Sequence, residues 1–137
     1  MIERAGDHAF DLALHDAGQP ARIQWHFHGR TSLPVAVQSW TLQPGGCEGR
    51  HVHDTDQPLE ELYVVVEGSA AMHVDGVYHD LGPGDAVLAP VGSDHDLRNT
   101  GTGPLKVIVV WGPPGEADWS PYGTAAAATA ARDRRDS

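Results

Sequence analysis

An all-β fold, a sandwich or barrel of short strands in a single domain, is what this chain predicts. Three observations carry it. Apolar and polar residues alternate in short runs. Turn formers, among them 16 Gly and 10 Pro, punctuate the chain throughout its length. Ahead of the C-terminal tail there is no convincing amphipathic-helix pattern.

Taken in order, Phe10 to Leu14 reads as a strand or a short helical turn, and residues 16–20 as a turn. Residues 22–28 set Ile23, Trp25 and Phe27 against Gln24, His26 and His28, the period of two of a half-buried strand. Residues 35–42 form a second strand, with Val35 and Val37 on one face and Gln38 and Trp40 on the other. Residues 50–53 are extended, so His51 and His53 share a face. A polar loop over 54–58 follows, then a β-branched and aromatic strand over 61–66 with Glu61, Tyr63 and Val65 on one face. Strands over 70–74 and 77–81 flank Asp75-Gly76, a hairpin signal. Residues 86–89 are a short strand, 96–99 are extended, and 105–111 form an apolar strand. The domain organisation expected is an N-terminal strand region over 1–30, a barrel over 31–115 and a mobile C-terminal tail over 116–137. Within the tail, Trp119 and Tyr122 have the option of packing back, and 125–131 of forming a short helix.

At 137 residues the chain is long enough to bury a core without disulfides. Its formal net charge of -10 argues against nucleic acid or an anionic membrane as partner, because both need a basic footprint. A small-molecule substrate is the partner expected. The single cysteine, Cys47, allows no intrachain disulfide, and the polar opening from Met1 to His8 has no apolar signal-peptide core. A cytoplasmic location is the expectation.

The chemistry concentrates between Gly45 and Asn99. His51 and His53 project together from one strand, Glu61 opens the next, and His95 follows a Pro-x-Gly loop. Imidazole and carboxylate are ligands for borderline divalent metals, and three His with one Glu from neighbouring segments can meet on one ion. An octahedral metal would keep two positions open for substrate or dioxygen. Tyr63, on the face of Glu61, and His26 and His28 are the candidate acid/base residues. The plainer readings are a packed Tyr63 ring and polar strand positions for the two His. Cys47 reads as a small buried residue, His73 and His79 as solvated positions beside the hairpin, and Asp94 or Asp96 as groups that could orient His95.

Two motifs now identify a resemblance. Gly84, Pro90, Gly92, His95 and Asn99 match in full the second motif of the cupin superfamily. Gly45, His51, His53, Glu61 and Gly68 match the first, except that seven residues separate His53 from Glu61, more than the family's usual spacing. That leaves Glu60 as an alternative carboxylate to Glu61. The resemblance covers about residues 35 to 111. It implies a cupin-type double-stranded β-helix, a jelly-roll barrel, with one divalent transition metal per chain on His51, His53, Glu61 and His95. Fe(II) is favoured, with Mn, Ni or Zn as alternatives. It also implies a homodimer, with strand 22–28 the piece expected to be shared. Function follows less directly, because cupins host many chemistries. The leading expectation is an enzyme of dioxygenase or other oxygenase type. The alternatives are an isomerase, lyase or polyketide-cyclase-like enzyme, and a cupin that binds a small molecule without turnover.

Overall fold

The structure is a computed structural model that describes residues 1–137 except Asp16, Asp54 and Thr55. The start of the turn expected over 16–20 and part of the polar loop expected over 54–58 therefore lie outside the described residues.

Among the described residues, ten strands form two antiparallel sheets. The larger contains β1 (Phe10–Leu12), β2 (Ala21–Trp25), β3 (Ala36–Leu42), β5 (Glu60–Glu67), β8 (Ala86–Ala89) and β10 (Leu105–Gly112). Its spatial order is β1-β2-β3-β10-β5-β8. The smaller contains β4 (His51–Val52), β6 (Ala70–Val74), β7 (Val77–Leu81) and β9 (Asp94–Asn99), in the order β4-β9-β6-β7. In both sheets the chain leaves and returns to insert a late strand between two early ones, as a jelly roll requires.

Alternation along the strands decides what faces inward. In β3 the even positions from Ala36 to Leu42 are buried and the odd ones are half-buried. In β5, Glu61, Tyr63 and Val65 are buried, and Glu60 is exposed. Register then lines up rows of side chains: Val107 lies opposite Trp40 and Val65, Val109 opposite Gln38 and Tyr63, and Trp111 opposite Ala36 and Glu61. The core closes with Met72 and Leu97, paired across β6 and β9. The hairpin at Asp75-Gly76 has both residues at positive φ, 47° and 84°, the twist a two-residue turn needs.

Three expectations change. The strand expected over 22–28 ends at Trp25, because Phe27 turns the chain at φ 52° and the Glu3 carboxylate accepts its N–H at 2.8 Å. His73, expected in solvent, is buried and accepts the Gly76 N–H at 3.0 Å. The tail helix, α1, spans Gly123–Asp136, longer than its alanine run, with none of its residues buried. Trp119 and Tyr122 stay 63% and 59% exposed and contact each other. Among the described residues no helix is long and apolar enough to cross a membrane.

Candidate metal centre

One donor atom from each of His51, His53, Glu61 and His95 lies within 4.8 Å of the other three. Three local arrangements bring them there. The first is the β4–β9 ladder, which sets His51 directly opposite His95. The second is strand alternation, which turns Glu61 inward and Glu60 outward and so selects Glu61 from the two adjacent carboxylates. The third is the position of His53 directly after β4, with its Nε2 3.2 Å from His51 Nε2 and 2.6 Å from Glu61 Oε1.

Two of the three imidazoles are held from behind by backbone carbonyls. His51 Nδ1 donates to the Gly49 carbonyl at 2.8 Å and His95 Nδ1 to the Ser93 carbonyl at 3.0 Å. A donor at Nδ1 leaves a lone pair at Nε2, the tautomer a metal ligand needs. Asp94 and Asp96 do other work. Asp94 pairs with the exposed Arg50. Asp96 binds Arg98 at 2.8 Å and accepts the Gly49 N–H at 3.1 Å, anchoring the segment that presents His51. Asn99 closes the far end of β9 by donating to the carbonyls of Leu42 and Gly103, both at 2.9 Å.

Electrostatics suit the donor set to a cation. Burial pushes the His51 pKa down to about 4, so its ring is neutral at pH 7. Burial pushes the Glu61 carboxyl up, but hydrogen bonds from His95 and Tyr63 outweigh it and hold it down to about 2. Burial lowers the His95 value, but its hydrogen bonds to Glu61 and to the Ser93 carbonyl, with the nearby charges of Glu61 and Asp94, together more than compensate, so it is raised. Three imidazoles and one carboxylate crowded within contact distance, two of the imidazoles with committed Nδ1 atoms, fit a divalent transition metal.

The candidate acid/base residues separate. Tyr63 is fully buried, and its hydroxyl donates to Glu61 Oε2. His26 lies 2.6 Å from Ser39 Oγ and 3.2 Å from Glu3 Oε1, in a cavity of about 400 Å³ under the N-terminal residues. His28 rests against Trp25 and lines a second cavity, of about 760 Å³, with Ile2, Phe10 and Phe27. Neither His26 nor His28 contacts a member of the four-residue cluster in any bond or ring contact described.

Sequence reasoning missed two neighbours of the cluster. His15 stacks on His51, ring centroids 3.5 Å apart, and meets His53 edge-on at 6.1 Å. It comes from a loop 36 positions earlier, at φ 39°, and no local pattern singles it out. Glu48 is wholly buried, with both carboxyl oxygens 3.0 Å from the Tyr63 hydroxyl. Its one sequence signal is an acidic residue three positions before a ligand.

Comparison with known proteins agrees with this architecture. The family model for the cupin domain matches residues 38–111. An uncharacterised protein of Methanocaldococcus jannaschii is 33% identical over 64 residues, 47% of this chain and 49% of that protein. The chain thus aligns with about half the length of that relative. Among solved structures, a predicted oxalate decarboxylase from Thermotoga maritima superposes with a TM-score of 0.73 at 18% identity, covering 83% of this chain and 100% of the other. A sugar phosphate isomerase of the cupin superfamily from Silicibacter pomeroyi gives 0.60 at 24% identity, covering 69% and 60%. At these identities the two structures establish the shared fold.

Proposed function

The chain belongs to the cupin domain family, and from that premise we propose that it is a metal-dependent enzyme acting on a small organic molecule held between its two sheets. The observation that carries this reading is the convergence of His51, His53, Glu61 and His95. A divalent transition metal bound there supplies Lewis-acid polarisation of a substrate oxygen or, as Fe(II), activation of dioxygen. The residues contribute the rest. Neutral imidazoles and one carboxylate leave a bound dication with net positive charge, which favours a substrate that approaches through an anionic oxygen. Tyr63 holds a proton against Glu61 Oε2. Trp111, in register with Glu61 and touching Trp25 at a centroid distance of 5.3 Å, supplies an aromatic wall. The names of the Thermotoga and Silicibacter proteins, a decarboxylase of oxalate and an isomerase of sugar phosphates, are in keeping with a small, oxygen-rich substrate.

Oxygenase chemistry at Fe(II) is the finer reading that the mixed nitrogen and oxygen donor set favours. A proton-transfer reaction, isomerase or lyase, is favoured by a different observation: the buried Tyr63 hydroxyl lies between two carboxyl groups beside the metal ligands. Elemental analysis of protein purified without oxygen and again in air, followed by assays with candidate oxyacids, separates them. About one iron per chain with substrate-dependent oxygen uptake supports the oxygenase. Manganese, nickel or zinc with deuterium exchange into substrate and no oxygen uptake supports proton transfer. A protein that takes up no metal after reconstitution overturns both.

A further inference from the structure

Glu48 is a residue that packing alone does not explain. It is 0% exposed, its backbone N–H is used by the Leu97 carbonyl at 2.9 Å, and its side chain has one described partner, the Tyr63 hydroxyl, 3.0 Å from each carboxyl oxygen. Burying a carboxyl costs several kcal/mol unless it is compensated, and no cation faces this one among the described residues. Burial, with the charge of Glu61 nearby, pushes it well above the usual carboxylate range.

Counting protons orders the contacts. The Tyr63 oxygen touches Glu48 on one side and Glu61 Oε2 on the other. A phenol has one proton and can donate it once. Glu61 also faces the Nε2 atoms of His53 and His95, at 2.6 and 3.2 Å, whereas the Glu48 carboxyl meets the phenol alone among its described partners, so the phenolic proton is directed to Glu61. The remaining proton therefore belongs to Glu48, which donates to the Tyr63 oxygen while Tyr63 donates to Glu61.

We propose that Glu48 is a positioning residue for the metal ligand Glu61: acting through Tyr63, it commits Glu61 Oε2 to a hydrogen bond and leaves Oε1, beside His53 Nε2, as the oxygen offered to the metal. The proposal rests on the reading of His51, His53, Glu61 and His95 as a metal site. A neutral acid is suited to this task. An ionised Glu48 would compete with Glu61 for the phenolic proton, and an apolar side chain would leave the hydroxyl free to turn away. A donor behind the phenol also polarises it, which strengthens its own bond to Glu61.

The test uses Co(II) as probe on the full-length protein, with affinity read by chelator competition and geometry by the ligand-field spectrum. E48L and Y63F each lower Co(II) affinity by about tenfold or more, the range for lost outer partners of a metal ligand, and shift the spectrum in the same way. The double variant is no worse than either single one. E48Q keeps a donor toward Tyr63 and restores the wild-type spectrum. Unchanged affinity and spectrum in folded E48L overturn the inference, as do losses that multiply in the double variant. Should E48L fail to fold, infrared spectroscopy decides on folded protein: a protonated-carboxyl C=O band at neutral pH, absent in E48Q and shifted in Y63F, is expected, and its absence from the wild type overturns the arrangement. Wild-type protein that binds no Co(II) removes the metal reading itself, whereas Co(II) binding indifferent to Glu48 removes only this inference.

Discussion

Glu60 and Glu61 have the same chemistry and opposite surroundings, and at the scale of single residues that contrast is the sharpest prediction. Glu61 is 6% exposed among three imidazoles, and Glu60 is exposed on the other face of β5. Replacing Glu61 with Ala lowers metal affinity by more than about a hundredfold, beyond the loss expected for an outer partner, and replacing Glu60 leaves it unchanged, by chelator competition. Titration adds a second outcome. His51 is neutral down to about pH 4, so it offers a metal no proton to displace at neutral pH. His95 is raised by its hydrogen bonds to Glu61 and the Ser93 carbonyl and by the nearby charges of Glu61 and Asp94, so a proton there must leave when a metal binds. Metal affinity therefore falls as pH drops through the raised His95 value, with proton release on binding, measurable by calorimetry in two buffers. In metal-free protein His51 also makes stability pH-dependent. Its folded pKa lies below its unfolded value, so the unfolded state binds the extra proton. Stability is then full above about pH 6.5 and declines toward pH 4, by on the order of 1–2 kcal/mol once partial exposure is discounted. Glu61, held down to about 2, adds its loss only below about pH 4.5. Glu48 has the opposite sign: its raised value weakens the fold as pH rises above the ordinary carboxylate range. A urea-melt series from pH 4 to pH 8 on wild type and E48Q separates the terms.

At the scale of elements, two glycines give a matched pair. Gly49 has φ 94°, and a side chain there would collide with the His15 carbonyl. It also carries both the N–H bound by Asp96 and the carbonyl that orients His51. Gly76 has φ 84° with open space around it. Gly76→Ala then costs only the backbone strain, about 1–2 kcal/mol, and leaves metal affinity alone. Gly49→Ala costs more and lowers metal affinity as well, by thermal melts and chelator titration. The same elements show what a sequence can announce. Strands β3, β5 and β10 were legible in their runs of β-branched and aromatic residues, which place Trp40, Tyr63 and Val109 on the inward faces. The hairpin was legible because Asp-Gly suits two residues at positive φ. The four clustered residues were legible because their spacing mirrors strand alternation and the motif loops, although the long gap before Glu61 left the adjacent Glu60 open until burial chose between them. The end of β2 was not legible. Alternation continues through His28, but Glu3, from more than twenty residues away, captures the Phe27 N–H. His15 and Glu48 were hidden for the same reason, since each is defined by a partner that only the tertiary fold supplies.

For the whole molecule, the site lies where the two sheets meet. His51 and His95 come from the four-stranded sheet, Glu61 from the six-stranded one, and His53 from the link that follows β4. A metal bound by all four joins the sheets as well as serving chemistry. In its absence the hold between sheets at this end falls to Glu61 with His53 and His95, while the other end keeps its apolar core of Leu42, Met72, Leu97 and Leu105. Metal binding to the folded state alone stabilises it by RT ln(1 + [M]/Kd), about 2.7 kcal/mol at a hundredfold excess over Kd. The melting temperature should rise by several degrees when metal is added and return when a chelator removes it. Two variants locate that gain. His95→Ala removes a ligand and abolishes most of the metal-dependent rise. Leu97→Ala, on the same strand but in the core beside Met72, costs about 2–5 kcal/mol with or without metal. It lowers both melting temperatures and leaves the interval between them nearly unchanged. An interval that shrinks equally in both variants would mean that the metal reports on general packing, and would count against a bond between the sheets at this site.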